Sequence, residues 1–308
     1  MEFTRRLATW GYRAYERLLA AEITDTPSHV AVIQDGNRRY ATKRGEGPTA
    51  GHRAGAETTE RLLEWCDQLG VEEVTLYAFS TENFDRPAEE REALFDLLAE
   101  KLREFADAER VHDGEVRIRA IGERERLPER VRAAIEYAED RTAEYDQLRL
   151  NVAVAYGGRA ELLGAAREIA IRVVDGELAP EAVDVETVER ALPDGPTRDV
   201  DLIVRTGGDE RTSNFLPWQA NGNEAAVYFC APYWPEFRKI DFMRGLRTYA
   251  AREQSWRQSR ARRARALVSA LPGEYPDARQ TLARFRSALP GDEPESPSRE
   301  PESADVAD

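Results

Sequence analysis

Four short stretches hold the residues with chemistry to offer. The first reads Gln34-Asp35-Gly36-Asn37-Arg38-Arg39-Tyr40 and follows the apolar run His29–Ile33. Here a carboxylate, a glycine and two arginines leave one strand end. Glycine lets a backbone approach a ligand closely, and amides at a helix start can cradle phosphate. Alone, the stretch reads equally as an Asp-Gly turn with solvated arginines. A later stretch, Arg205-Thr206-Gly207-Gly208-Asp209-Glu210-Arg211-Thr212-Ser213-Asn214-Phe215, changes that balance. Two arginines flank a Gly-Gly turn, with hydroxyls beside them, again after an apolar run. Arginine forks match phosphate oxygens two at a time. Together the two stretches predict two phosphate or diphosphate pockets on one sheet edge. Between them come Ser80-Thr81-Glu82-Asn83-Phe84-Asp85-Arg86-Pro87 and Tyr156-Gly157-Gly158-Arg159.

The elements that must position these loops are legible from apolar spacing. Strands are expected at 29–35, 74–79, 116–121, 150–155, 200–204 and 225–230. Helices are expected at 88–111, 128–144, 159–174, near 180–192, and at 241–271. Another precedes Gly70, with Leu62, Leu63, Cys66 and Leu69 on one face. Short, continuously apolar strands alternating with helices imply an α/β domain, a mainly parallel six-stranded sheet covered on both faces. Ligands then sit at the carboxyl ends of the strands. Phe3, Leu7, Trp10, Ala14 and Leu18 share a face of an N-terminal helix over 1–24, flanked by Arg5, Arg6, Arg13 and Arg17. That helix either packs on the domain or lies on a membrane surface. The catalytic domain is expected over 25–271. Residues 272–308 form a polar acidic tail, proline-rich and expected to be disordered from about residue 290.

Composition narrows the class. The 308 residues carry a formal net charge of −14, and three of the 44 basic residues are lysine: Lys43, Lys101 and Lys239. A broad nucleic-acid footprint is excluded by that charge. Acidity with few lysines fits a high-salt cytoplasm, and an Arg-rich codon bias is the rival explanation. Cys66 and Cys230 read as reduced core thiols. The three histidines do not form a zinc spacing. No stretch approaches the roughly 20 apolar residues of a membrane span. The expected location is cytoplasmic. The chain contains no GxxxxGK[ST], no GxGxxG after a strand, no Gly-x-Ser-x-Gly and no DDxxD. P-loop, dinucleotide, serine-hydrolase and helical terpenoid-synthase chemistry are therefore set aside.

The remaining pattern resembles the cis-prenyltransferases, the undecaprenyl diphosphate synthase family. The resemblance rests on Asp35-Gly36-Asn37-x-Arg39-Tyr40, Gly51-His52-Arg53-x-Gly55, Leu76–Pro87, Asn151–Arg159, Asp201–Gly208, Arg211–Gln219, Glu224 and Trp234-Pro235. It runs from about residue 29 to 255. It implies an α/β fold around a hydrophobic tunnel and a homodimer. The implied reaction is Mg²⁺-dependent condensation of isopentenyl diphosphate onto an allylic diphosphate, with new double bonds in cis. Asp35 matches the catalytic, metal-binding aspartate. Glu224 matches a second metal-site carboxylate that some members take from the partner subunit. Gly36, Asn37, Arg38, Arg39, Tyr40 and His52 match the allylic diphosphate loop. Arg205, Arg211, Thr212 and Ser213 match the isopentenyl diphosphate pocket. Ser80, Thr81, Glu82, Asn83, Phe84 and Arg86 match a mobile loop between the substrates, with Asn83 taking part in proton removal. Ala78 and Leu148 are candidate tunnel positions.

There are departures. Gln34, Tyr40 and Phe84 replace commoner residues at their positions, and Pro48 stands where many members carry another diphosphate arginine, a charge that Arg38 or Arg44 would supply. The Gln-Asp-Gly-Asn-Arg-Arg-Tyr opening resembles archaeal members, which implies a geranylgeranyl diphosphate starter, a glycosyl-carrier lipid product and peripheral membrane contact for its release. Two other readings stay open: a short-chain synthase, and a non-catalytic partner subunit. The presence of Asp35, Arg39, Asn83, Arg205, Arg211 and Glu224 argues against the second.

Overall fold

The computed structural model describes residues 2–192, 198–220 and 224–270, with side chains between 11 and 262. The expected acidic tail lies outside the described residues. Two compact units divide the chain at Glu253/Gln254. In chain order the elements are α1 (Glu2–Glu22), β1 (His29–Ile33), α2 (Asn37–Lys43), α3 (Pro48–Leu69) and β2 (Glu73–Ser80). There follow α4 (Ala88–Asp107), α5 (Glu109–Asp113), β3 (Val116–Ile121), α6 (Glu129–Arg141) and β4 (Leu148–Tyr156). The last are α7 (Gly158–Val174), α8 (Val185–Ala191), β5 (Leu202–Arg205), β6 (Ala226–Phe229) and α9 (Lys239–Ala270). Of the second unit, the described residues 254–270 are helical.

The six strands form one sheet in the order β3-β4-β2-β1-β5-β6. Every pairing is parallel, so the sheet is wholly rather than mainly parallel. Alternation along β1 sends Val30 and Val32 into one core and Ala31 and Ile33 into the other. The larger core takes Leu62 and Cys66 of α3, Leu94 and Phe105 of α4, Ile135 of α6 and Phe242 of α9. Each such large apolar side chain contributes about 1.5–3 kcal/mol when fully buried. The opposite face is thinner than expected. It is closed mainly by Phe215, Leu216 and Ala220 of a loop, with Tyr77 stacked on Phe215 at 4.4 Å. Among the helical residues of α7, Gly158 and Ala165 are buried, while Leu163, Ile171 and Val174 stay exposed.

Helix boundaries follow local chemistry. α3 starts with Pro48 at its first turn and stops at Gly70, whose φ of 75° closes the end. Asp184 caps α8 by accepting the Thr187 N–H at 2.9 Å. The helix expected at 180–192 is therefore a 3-10 turn, Pro180–Ala182, followed by α8. The helix expected at 88–111 breaks at Ala108, which is extended, and α5 then buries Val111 against the same core. The stretch read as a loop after β1 contains α2.

The N-terminal helix packs on the first unit. Leu19, fully buried, meets Ile240 and Met243 of α9, with Tyr12 and Tyr15 against them. Lys239 pairs with Glu16 at 3.2 Å and Arg247 with Glu22 at 3.0 Å. These solvent-accessible pairs contribute little, so apolar burial decides the docking. Leu19→Ala is expected to destabilise the fold by about 2–5 kcal/mol, as buried leucine truncations do. Thermal unfolding in molar salt checks this. An unchanged midpoint would mean that α1 is not held here.

Candidate functional site

The chain leaves β1 toward β2 and leaves β5 toward β6, in opposite directions along the sheet. The carboxyl ends of β1 and β5 are thus the switch point where a doubly wound sheet opens a crevice. Ile33 and Arg205 lie in register there. Asp35 and Arg205 face each other across this point, with Arg205 Nη2 donating to Asp35 Oδ2 at 2.7 Å. The Thr206 hydroxyl links the same loops. It donates to the Asp35 carbonyl at 2.8 Å and accepts the Asp35 N–H at 3.0 Å.

Two glycines make this approach feasible. Gly36 has φ 97°, and a Cβ there would strike the Tyr233 side chain. Gly207 has φ 86°, and a Cβ would strike the Arg39 guanidinium and crowd the Asp35 backbone. Three non-glycine residues nearby, Ser213, Asn214 and Leu216, also take positive φ, a concentration of strain typical of functional loops. Gly158 N–H donates to the Asn214 carbonyl at 3.0 Å, which docks that loop on the start of α7.

Arg205 is 3% exposed, and its terminal nitrogens are fully engaged. Nη1 donates to the Arg211 carbonyl at 2.5 Å and to Ser213 Oγ at 2.7 Å, and Nη2 donates also to Asp209 at 3.2 Å. Asp35 further accepts the Gly36 N–H at 2.6 Å and pairs with Arg39 at 3.1 Å. Partial burial pushes the Asp35 carboxyl upward. The Arg205 hydrogen bond and charge, then Arg39 and the Gly36 amide, outweigh burial and hold it below its ordinary value. Asp35 is therefore ionised at neutral pH, and its attraction to Arg205 is lost only as pH falls through that lowered value.

A polar pocket of about 440 Å³ is lined by Asp35, Gly36, Arg38, Arg39 and Thr42. It shares Gln34, Asn37, His52 and Arg86 with a deeper apolar cavity of about 170 Å³. The cavity runs between the sheet and α3 and α4, past Ala78, Phe79, Leu94, Leu98 and Phe105. Ala78 lies on its wall and also packs against the larger core. Leu148 is buried in the core instead. His52 sits where pocket and cavity meet. Burial, and secondarily Arg86 and Arg38, push its pKa to about 4, so the imidazole is neutral near pH 7. Its Nε2 is buried without a partner. Glu90 ties Arg86 at 2.9 Å and Arg38 at 3.4 Å behind the pocket.

The loop after β2 forms a 3-10 turn, Thr81–Asp85, closed by a reciprocal cap in which Asn83 Oδ1 accepts the Ser80 N–H at 3.0 Å. Asn83 and Arg86 line the cavity. Phe84 packs on Phe79 and lies under the Arg126 guanidinium, 4.1 Å from the ring centre. Thr81 is half-buried against Gly157. Glu82 is exposed and Tyr40 sits beneath Arg44, and neither lines the pocket or the cavity. Arg211 is exposed and paired with Asp209, and Thr212 is half-buried. Glu224 is exposed beside residues 221–223, which lie outside the described set. Pro48 opens α3. Of the two arginines considered as substitutes for its missing charge, Arg38 lines the pocket, whereas Arg44 pairs with Glu46 at 3.2 Å. Sequence reasoning assigns no role to Asp209, Glu90 or Gln34, which the structure places at the site. Asp209 had a signal, since it lies between two arginines of the candidate loop.

Residues 33–257 match the family described as "Putative undecaprenyl diphosphate synthase". The chain belongs to the undecaprenyl diphosphate synthase family. It is 66% identical over 96% of its length, and 97% of the relative's, to a protein of Haloarcula marismortui named tritrans,polycis-undecaprenyl-diphosphate synthase (geranylgeranyl-diphosphate specific). A protein of the same name from Halobacterium salinarum is 64% identical, over 94% and 96%. Among solved structures, lavandulyl diphosphate synthase from Lavandula x intermedia, in complex with dimethylallyl diphosphate, is 33% identical. The match has a TM-score of 0.68 and covers 73% of this chain and 95% of that one. As a member of this family the chain is a prenyltransferase. It condenses isopentenyl diphosphate onto an allylic diphosphate in cis. Its acid-rich composition agrees with its relatives in halophilic archaea.

Arg205→Gln is expected to raise the Asp35 titration midpoint, because the largest opposing influence to burial is removed. Carbon-13 NMR titration of the Asp35 carboxyl checks this, and an unmoved midpoint contradicts the assigned contact.

Proposed function

We propose that this chain elongates geranylgeranyl diphosphate with successive isopentenyl units to a long-chain polyprenyl diphosphate, the precursor of a glycosyl carrier lipid. One observation carries the reading: a polar, arginine-lined pocket opens into an apolar cavity through shared residues. That is the shape of a diphosphate head with a prenyl tail. The names of the relatives support the starter and the product. The likeness to lavandulyl diphosphate synthase keeps a short-chain product as the second reading.

In this account Arg38, Arg39 and Arg86 bind the allylic diphosphate, with Gly36 and Asn37 beneath it and His52 a neutral neighbour. Arg211, Thr212 and Ser213 receive isopentenyl diphosphate, and Arg205 fixes their loop. Mg²⁺ accepts one or two carboxylates when diphosphate oxygens and water complete its shell, so Asp35 with few other acids fits it. Bound there, Mg²⁺ would neutralise charge on the departing diphosphate. The arginines stabilise the same charge as the allylic C–O bond breaks. The isopentenyl C4 attacks the cation, and the new intermediate loses a proton. An amide is a poor base, so Asn83 positions the route of that proton toward diphosphate, water or Asp35. Apolar cavity walls keep water from the cation.

The working unit is a homodimer. Support comes from the exposed apolar residues Leu163, Ile171 and Val174 of α7 and Val185 of α8, which a second copy would cover. Glu224 then acts as a second metal carboxylate across the pair. No helix among the described residues is long and apolar enough to cross a membrane. Contact with the bilayer is peripheral, for product release.

Incorporation of radiolabelled isopentenyl diphosphate with Mg²⁺ in molar salt tests the reading, with farnesyl and geranylgeranyl diphosphate offered separately. Long products chiefly from geranylgeranyl diphosphate are expected, and short products would move the function to the second reading. Asp35→Ala should abolish nearly all turnover. Activity within about tenfold of wild type, some 1.4 kcal/mol of barrier, would remove Asp35 from its role.

A further inference from the structure

Asp209 is the carboxylate at the site that the proposed reaction leaves without a part. Its Oδ2 accepts from Arg205 Nη2 and from Arg211 Nη2, each at 3.2 Å. Its Oδ1 lies 4.0 Å from Arg39 Nη1. Arg39 belongs to the loop after β1, and Arg211 to the loop after β5. Like Asp35, Asp209 thus lies within 4.0 Å of arginines from both candidate diphosphate pockets, and it alone of the two reaches Arg211. Its own position is held firmly: the Gly207 and Gly208 N–H groups donate to the Pro232 and Cys230 carbonyls at 2.7 and 2.9 Å. Buried Arg205 offers a second observation. Its Nε is unpartnered, and its Nη donors are all taken, one of them by Asp209. A diphosphate drawing on the terminal nitrogens of Arg205 must therefore take donors that protein groups, Asp209 among them, now hold.

We propose that Asp209 is a positioning residue that stands in for diphosphate between Arg39 and Arg211. It keeps the arginines aimed before substrate arrives, and it competes with released inorganic diphosphate for the same donors. The proposal rests on the pocket assignment made under the proposed function. Its logic is electrostatic. Arg39, Arg205 and Arg211 face Asp35 and Asp209, one positive charge in excess. Removing the Asp209 charge doubles that excess and frees two guanidinium faces. A stronger field holds every anion more tightly, the leaving product included. Without Asp209, turnover is limited by release rather than by chemistry.

The test measures inorganic diphosphate, by titration calorimetry and as a product inhibitor, on the full chain in molar salt. Asp209→Asn is expected to bind it about fivefold or more tighter, as the added net positive charge requires. kcat should fall while KM for isopentenyl diphosphate does not rise. Asp209→Glu, which keeps the charge, should return both toward wild type. Asp209→Ser is run alongside, so that a misfolded Asn variant does not decide the question. Unchanged or weaker diphosphate binding in folded charge-removed variants overturns the proposal, as does a Glu variant that behaves like Asn. Arg211→Ala separates the two levels. If it leaves diphosphate binding untouched, the pocket assignment itself falls, and the proposal with it. If it weakens binding while Asp209→Asn does not strengthen it, only the proposal falls.

Discussion

The contact between Arg205 and Asp35 is the constraint on which the site depends. Arg205 is buried, so its charge must be met by protein groups wherever substrate does not meet it. Asp35, Asp209, Ser213 and the Arg211 carbonyl meet it. Those partners come from two loops far apart in sequence. Sheet pairing sets the ends of β1 and β5 side by side, and satisfying one guanidinium ties together the loops that leave them. Removing one partner of a fully buried pair costs about 3–5 kcal/mol, and this pair costs less because Asp35 is partly open to solvent. That partial opening is what a metal or substrate needs. The pair is closed enough to shape the loops and open enough to be used.

From this pair the two environments of the site follow. Toward solvent, arginines surround the pocket. Toward the core, α3 and α4 stand off from the sheet and leave an apolar cavity. His52, neutral near pH 7, adds no charge at their junction. Arg86 faces the same junction and is held by Glu90 from the start of α4. The helix that walls the cavity is thus tied at its first turn to two arginines of the pocket.

Much of this was legible in sequence because both signals are strong. Runs such as Val30–Ile33 and Leu202–Val204 are apolar at every position, which a fully covered parallel strand requires. All six strands stood where apolar runs predicted, to within a few residues. The misses were local. Ala108 carries no breaker, and the turn there exists because Val111 must reach the core. α2 has too few residues for a periodic pattern. The thin face of the sheet was hidden because α7 carries as many apolar residues as a packed helix would. At the site, spacing after strand ends identified the loops. It could not show that Arg205 spends all its terminal donors on protein, because that depends on three loop residues brought together by positive φ and a double glycine. Asp209 was overlooked for the same reason. Its place between Arg205 and Arg211 is visible in the sequence, but only the fold brings Arg39 to it as well.

On the proposed function, the Arg205–Asp35 contact divides two diphosphate sites. The most direct measurement is a crystal structure with Mg²⁺, an allylic thiodiphosphate that cannot ionise readily, and isopentenyl diphosphate. The account predicts one diphosphate against Arg38, Arg39 and Arg86 with its tail in the cavity behind His52, and the other against Arg211 and Ser213, with Asp35 between them. Both diphosphates on one side of Asp35, or a tail lying outside the cavity, would contradict it.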